Sequence, residues 1–392
     1  MTHRRHDIDA LRALAFALLI LYHLAMYYVA EWEWHVKSPD TYYWLQPVML
    51  VVNRWRMDLI FLVSGLAAAW LLKPGKSGAF AWQRTLRLFV PLLFGCWFIV
   101  PIQPYAQGVS NGLVEPGFGQ FLVDYFRGRE WPPEAFSGWE HGFTWNHLWY
   151  LAYLWVYTLV LALLARPLAS RLGQRLRGAF ANLRGWALLV LPSIPLLACT
   201  IVLQPLFEPT GDFISDWYRH AVYFTVFLYG FWLARDEALW AELARLRTQS
   251  LALAAWTLLA YMVLVLWLPD DVAEPIEWLV WGLRNAYIWL ALCTILGWSA
   301  HALNRPFRWL PWANESVYPW YLVHQSLIVG LAFWIAPWEL PDGLEAGVIL
   351  AATIATCWGV TAVVRRVNWL RPLFGLKMRA RGAAPAAMPE AA

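Results

Sequence analysis

Charged residues are scarce in this sequence of 392 residues. Asp, Glu, Lys and Arg make up 14% of the chain, whereas 60% of it is hydrophobic and the mean hydropathy is +0.45. A water-soluble domain is about one quarter charged and could not bury this much apolar surface. A helix in a bilayer satisfies its own backbone hydrogen bonds and needs only ~20 apolar residues to cross the hydrocarbon core. The composition therefore predicts an integral membrane protein.

Cysteine is also rare, and the motifs of several enzyme classes are missing from the sequence. The four cysteines lie scattered in apolar runs, without the paired spacing of a metal site or a disulfide framework. The sequence contains no HExxH motif, no CxxC pair and no clustered set of histidines and carboxylates, so we predict no metal site. A Walker-type loop and a Rossmann glycine fingerprint are absent as well, so we expect no bound cofactor and no nucleotide hydrolysis.

Apolar runs separated by polar breaks predict an all-α bundle of about ten transmembrane helices. The predicted spans are residues 8–29, 50–72, 88–106, 147–165, 186–205, 218–234, 251–268, 279–300, 316–336 and 345–364. The first span is expected to be retained, because Glu31, Trp32 and Glu33 follow it instead of the small residues of a signal-peptide cleavage site.

The distribution of basic residues predicts the orientation of the chain. With the N-terminus inside, most of the 30 Lys and Arg residues lie on the inner side, as the positive-inside rule requires. Both termini are therefore expected in the cytoplasm. We predict one membrane domain, residues 1–372, and a disordered cytoplasmic tail, residues 373–392, which is Ala-rich after Arg381.

Ionisable side chains in the first span indicate a functional site, because each costs several kcal/mol against lipid. Arg12 and His23 are eleven positions apart, about three helical turns, and share one face, while Asp9 can pair with Arg12 at i, i+3. Near the cytoplasmic end, Arg12 could hold an anionic donor. Further out, His23 could act as a general base, because the unperturbed pKa of imidazole is ~6.5. The structural alternative is a buried histidine bonded to another helix and an arginine that extends to the surface.

Other polar residues in or beside the spans are candidate substrate-binding groups. They are Arg56 and Ser64 in the second span, Arg84 and Arg87 before the third, His147 at the start of the fourth, and Tyr321 and His324 in the ninth. Each has a structural alternative: Ser64 could permit close helix packing, the arginines follow the positive-inside rule, and His147 lies in an interfacial aromatic belt. Tyr321 and His324 share one face at i, i+3, which we expect to point into the bundle.

This ordered set of motifs resembles the acyltransferase-3 family of membrane proteins, and within it the glucan biosynthesis protein C branch. The matching segments are Asp9-Ala10-Leu11-Arg12 through His23, Trp34-His35-Val36, Arg56-Met57 with Phe61 and Ser64-Gly65, Arg84 to Arg87 with Pro91, His147-Leu148-Trp149, and Tyr321-Leu322-Val323-His324. The sequence departs from the family pattern at Ala13, where the family often has glycine.

The resemblance implies an O-acyltransferase of the bacterial inner membrane. It would move a succinyl or acetyl group from a cytoplasmic acyl-CoA to a hydroxyl of a periplasmic or cell-envelope glycan, such as an osmoregulated periplasmic glucan. His23 would be the catalytic base, Arg12 its required partner, and Arg84 and Arg87 would lie at the donor entrance. The partners implied are acyl-CoA, the glycan, the bilayer and glucan synthesis proteins, with no nucleic acid.

Three points stay open from the sequence. A group that stabilises the oxyanion is needed, and Ser64, Tyr321 and His324 are candidates. A transporter or flippase for a glycan or an acyl donor would also have about ten spans with buried polar groups, and the prolines near residues 91–104 are typical of broken transporter helices. A structural partner of a glycan synthase is the third alternative.

Overall fold

The computed structural model of the protein describes residues 5–207, 212–269 and 273–379. Every regular element in these ranges is helical, and one isolated β-bridge joins Val29 to Tyr42. The all-α prediction is therefore confirmed for the described residues. Most of the tail predicted to be disordered, residues 380–392, lies outside them.

Sixteen α-helices follow one another along the described chain. They are α1 (His6–Tyr28), α2 (Leu45–Asn53), α3 (Arg56–Leu71), α4 (Ser77–Phe98), α5 (Ile102–Ser110), α6 (Phe118–Phe126), α7 (Trp149–Leu163), α8 (Ala165–Ala169), α9 (Arg171–Ala181), α10 (Gly185–Val190), α11 (Ser193–Leu203), α12 (Trp217–Leu233), α13 (Glu237–Trp267), α14 (Glu274–Ala302), α15 (Leu310–Ile335) and α16 (Asp342–Arg366). Short 3₁₀ turns occupy Trp139–His141, Asn146–Leu148, Ala336–Trp338 and Pro372–Phe374.

Seven helices in the described ranges are long and apolar enough to cross a membrane. They are His6–Tyr28, Asn146–Leu163, Gly185–Leu203, Glu237–Trp267, Glu274–Ala302, Leu310–Trp338 and Asp342–Arg366. An eighth is possible if α4 and α5, which are bent by 40° at their junction, count as one span. The protein is a helical membrane protein, but the predicted count of about ten spans and the cytoplasmic location of the termini are not confirmed.

Two of the predicted spans, the second and the third, are interrupted in the structure, and the sixth is short. The second is divided, because α2 ends at Asn53 and α3 begins at Arg56, leaving 16 residues in α3. The sixth agrees with α12 to within one residue at each end, but its 17 residues are fewer than the ~20 that cross the hydrocarbon core of a typical bilayer. In the third, Pro101 stands at the bend between α4 and α5, where its missing N–H removes a helical hydrogen bond.

Contacts within the chain divide it into two compact units. The first takes residues up to Ala15, Pro47–Trp82 and Val156–Pro306, and the second takes Phe16–Gln46, Gln83–Trp155 and the residues from Phe307 onward. Helix α1 contributes to both units, because its sequence continues across the boundary at Ala15.

In the first unit, α3 and α12 pack with their backbones in direct contact. A Cβ atom added at Gly65 would lie 1.9 Å from the carbonyl oxygen of Phe227, and one added at Gly230 would lie 2.0 Å from that of Leu62. Only glycine permits this approach, as at other helix crossings between small residues in membranes. The structure thus gives Gly65, in the Ser64-Gly65 motif, a packing role.

In the second unit, α15 is the central helix and most of its residues are buried. The second half of α1 and helices α5 and α16 surround α15, and Ile328 and Val329 lie fully buried in their common core. Segment 29–44, which follows α1, is held on the end of that helix, because Lys37 Nζ donates to the carbonyl oxygens of Met26 and Val29. The position of the residues after α1 is therefore fixed by the helix itself.

Candidate active site

Four histidines of the second unit lie in one hydrogen-bonded region. His23 is on α1, His35 is in segment 29–44, His147 stands at the turn before α7, and His324 is in the middle of α15. Three of the four were predicted as site residues from the sequence, and the structure brings them together through the contacts described below.

The imidazoles of His23 and His324 are directly hydrogen-bonded. His23 Nδ1 lies 2.9 Å from His324 Nε2, the ring centroids are 5.1 Å apart, and the ring planes are inclined by only 13°. The predicted polar face of the first span therefore meets the predicted polar face of the ninth.

The other nitrogen of His324 determines which of the two rings donates. His324 Nδ1 lies 3.0 Å from the carbonyl oxygen of Trp320 and 2.9 Å from that of Tyr321. A carbonyl oxygen only accepts, so Nδ1 must carry the proton. His324 is 1% exposed, and a buried imidazolium would be costly, so its Nε2 carries a lone pair and accepts from His23 Nδ1–H. In a neutral His23, Nε2 is then the basic nitrogen.

His147 is held as the opposite tautomer. Its Nε2 donates to the carbonyl oxygen of Leu322 at 3.0 Å, and its Nδ1 accepts from Gln103 Nε2 at 3.1 Å. The Tyr321 hydroxyl donates to the backbone carbonyl of His147 at 2.6 Å. The His147 ring also packs edge-on against the His324 ring, with centroids 5.3 Å apart.

Two glutamines extend the network from His147 to His35. Gln103 Nε2 donates to Ser326 Oγ at 2.7 Å, and Gln103 Oε1 accepts from Gln325 Nε2 at 3.0 Å. Gln325 Nε2 also donates to His35 Nε2 at 3.1 Å. Gln103 is fully buried, so its amide depends on these contacts for its hydrogen bonds.

His35 closes the network at segment 29–44. Its Nδ1 donates to Gln107 Oε1 at 2.9 Å, and its Nε2 accepts from Gln325. Burial of the ring lowers the pKa of His35 below its ordinary value, because the charged form is poorly solvated there. Every hydrogen bond in this network can therefore be made by neutral groups with one consistent set of tautomers.

Two predicted oxyanion donors are already engaged. The Tyr321 hydroxyl donates to His147, and the Nδ1–H of His324 donates to backbone carbonyls of its own helix. The described contacts therefore give neither group a proton directed toward a substrate, and their role as oxyanion donors stays a prediction. Tyr321 instead holds the turn that carries His147.

The predicted donor-binding arginines also belong to the second unit. Arg87 Nε donates to the carbonyl oxygen of Gly375 at 3.1 Å, which joins α4 to the segment after α16. Arg84 is half-buried, and its Nε makes no hydrogen bond among the described residues. Their predicted contact with a phosphate-bearing donor stays a prediction.

The remaining predicted site residues belong to the first unit. Arg12 Nη2 lies 4.0 Å from Asp9 Oδ1, so the i, i+3 pair exists, although Arg12 is too exposed for it to contribute much stability. Arg56 begins α3, and Ser64 lies beside Gly65 in the same helix. The catalytic or binding roles of Asp9, Arg12, Arg56 and Ser64 stay predictions.

Sequence reasoning did not select His35, Gln103 and Gln325 as site residues. His35 stands out in the sequence only as part of the Trp34-His35-Val36 segment. Gln103 and Gln325 lie within the third and ninth predicted spans, and polar amides in such a place carry the same signal that selected the histidines. Applying that criterion to uncharged residues would have found them.

The geometry defines a class of protein: a helical membrane protein in which a partly buried histidine on one helix is hydrogen-bonded to a buried histidine on another. A family model described as an acyltransferase domain matches residues 5–364, which is nearly the whole chain. The chain belongs to the acyltransferase-3 family and is an acyltransferase. No curated protein and no solved structure is significantly similar to it.

Proposed function

We propose that this protein is an O-acyltransferase of the bacterial inner membrane that acylates a periplasmic or cell-envelope glycan. The donor would be a cytoplasmic acyl-CoA carrying a succinyl or acetyl group. The acceptor would be an osmoregulated periplasmic glucan, in keeping with the resemblance to the glucan biosynthesis protein C branch. Membership of an acyltransferase family favours this function over a transporter or a flippase.

The observation that carries the proposal is the hydrogen bond between His23 Nδ1 and His324 Nε2, which leaves His23 Nε2 as the basic nitrogen. A sugar hydroxyl is a weak nucleophile until a base accepts its proton, and an imidazole is suited to that task near neutral pH. The base therefore belongs to α1, the first long helix of the chain.

The reaction follows from this assignment. His23 Nε2 takes the proton of the hydroxyl as the sugar oxygen bonds to the thioester carbonyl carbon, and the carbonyl oxygen becomes an oxyanion. The carbon–sulfur bond then breaks, and the CoA sulfur receives the proton from the His23 imidazolium. The sugar ester and free CoA leave, and His23 is again neutral.

The donor requires cationic groups for its phosphates. Arg84 and Arg87 are one helical turn apart on α4, a spacing that suits a phosphate, and guanidinium groups bind phosphate oxygens well. His147 is proposed to support the acceptor side, and Arg12, Asp9, Arg56 and Ser64 remain candidate catalytic or binding groups of the first unit. Association with glucan synthesis proteins would supply the acceptor.

The test compares wild type with His23→Gln and His23→Ala, using purified full-length protein in detergent, succinyl-CoA or acetyl-CoA, and a soluble β-glucan oligosaccharide. We expect both variants to lose transfer by about 10²- to 10⁴-fold, because a positioned general base contributes that much. Mass spectrometry of the oligosaccharide measures the product and identifies which acyl group is transferred.

The matched control is His301→Gln, which makes the same substitution at an exposed histidine at the end of α14. This variant should transfer at the wild-type rate. Undiminished acylation by His23→Ala would show that another group is the base.

A further inference from the structure

We propose that His324 is a positioning residue for His23: it selects the Nδ1–H tautomer of His23 and aims His23 Nε2 at the acceptor hydroxyl. This inference rests on the proposed role of His23 as the base. It assigns His324 a task different from the substrate binding expected from the sequence.

The ring geometry supports a directional bond and not a chance contact. The centroid separation of 5.1 Å is close to the 2.9 Å between the nitrogens plus the radii of the two rings. Both nitrogens therefore lie nearly on the line that joins the ring centres. With the planes only 13° apart, the proton of His23 points along the lone pair of His324 in the plane of each ring.

His324 is itself fixed before it can act on His23. Its Nδ1–H is shared between the carbonyl oxygens of Trp320 and Tyr321, one turn earlier in α15. The ring of His147 packs nearly perpendicular to the ring of His324, and His147 is held by Gln103 and the backbone of Leu322. Helix α15 thus imposes one tautomer on His324, and His324 imposes the complementary tautomer on His23.

The same bond assists the proton transfer. When His23 Nε2 accepts a proton, the ring becomes an imidazolium, and its Nδ1–H bond to His324 becomes a charge-assisted hydrogen bond, which is stronger than a neutral one. A carboxylate in place of His324 would stabilise the imidazolium more, but it would be a buried charge whenever His23 is neutral. A neutral imidazole acceptor avoids that cost in a site where it is 1% exposed.

The kinetic test uses two substitutions of His324 that differ in whether they keep an acceptor. His324→Phe retains a flat ring but has no lone pair for His23, whereas the side-chain oxygen of His324→Gln can accept. We expect His324→Phe to lower kcat by about 10²-fold, the scale of a misdirected catalytic group, with the KM for acyl-CoA nearly unchanged. His324→Gln should recover much of the loss.

The control for loss of a histidine ring is His220→Phe on α12 in the first unit. His220 is partly buried, and its ring bonds to the carbonyl oxygen of Phe213 and to the hydroxyl of Tyr157. The His220→Phe variant should have a kcat within about twofold of wild type, because the substitution does not change the orientation of His23.

The spectroscopic test does not depend on activity. In protein labelled with ¹⁵N-histidine, the His23 resonances are identified by their loss in His23→Gln. They should show a protonated Nδ1 and an unprotonated Nε2 in the wild type, and a mixture of tautomers in His324→Phe. A protonated Nε2 in wild-type His23 at neutral pH would overturn the proposal.

The two proposals fail in different ways. If wild type acylates the glucan and His324→Phe is equally active, the positioning role is wrong and the acyltransfer proposal stands. If wild type shows the expected His23 tautomer but transfers neither acyl group to the glucan, the acceptor proposal is wrong and the histidine pairing stands.

Discussion

Acidification should destabilise this protein through His35, and the structure indicates by how much. In the neutral ring, Nδ1–H donates to Gln107 and Nε2 accepts from Gln325. A proton on Nε2 would place two donors opposite each other at a nitrogen–nitrogen distance of 3.1 Å. Loss of that bond, with a buried donor left unsatisfied, costs about 1–3 kcal/mol.

The lowered pKa of His35 determines whether the free energy of unfolding rises or falls with pH. Above the ordinary histidine pKa of ~6.5, the ring is neutral in both the folded and the unfolded state, and pH has no effect through it. As the pH falls below that value, the unfolded state takes up the proton first, so the free energy of unfolding decreases. The decrease continues until the folded state is protonated as well.

The assay is the free energy of unfolding in mixed detergent micelles at several pH values between 8 and 5, for wild type and His35→Gln. The glutamine offers Gln107 a donor and Gln325 an acceptor but does not titrate. Between pH 8 and pH 5, we expect the free energy of unfolding of the variant to fall by about 1–3 kcal/mol less than that of wild type. A difference between the two proteins that stays constant over this pH range would refute the reasoning.

Two further substitutions test the packing of each unit. Gly65→Leu should prevent α3 from packing on α12 and abolish accumulation of folded protein, because the new Cβ would lie 1.9 Å from a backbone oxygen. The control Gly282→Leu should accumulate normally, because a Cβ atom at this position has no neighbouring atom within 4 Å. Gln103→Leu removes the partner of three buried groups and should lower the free energy of unfolding by about 1–3 kcal/mol for each one left unsatisfied. The exposed Gln120→Leu should change it by less than about 0.5 kcal/mol.

The helical architecture could be read from composition, but the lengths of the helices could not. A run of apolar residues predicts a span, and α1 and α13–α16 lie where such runs occur. Hydropathy does not measure the break before Arg56 or the bend at Pro101, where the proline lacks the N–H of a helical hydrogen bond. Helices that are apolar on all sides also give little periodicity from which to infer a buried face.

The sequence predicts several individual residues of the candidate site but not which of them are hydrogen-bonded to each other. The cost of polar groups in lipid selected His23, His147 and His324 individually. That argument contains no distance between segments, so it could not show that His324 Nε2 faces His23 or that Tyr321 donates to a backbone carbonyl. The hydrogen bond between His23 and His324 depends on how α15 packs against α1, and this packing cannot be inferred from one sequence.

The contact between His23 and His324 joins residues 301 positions apart in the chain. At a synthesis rate of ~5–20 residues per second, His23 leaves the ribosome roughly 15–60 s before its partner. During this interval the nascent first helix has an imidazole with no access to its final acceptor. Until α15 has been made, the hydrogen bonds of this imidazole have to come from water or from other polar groups.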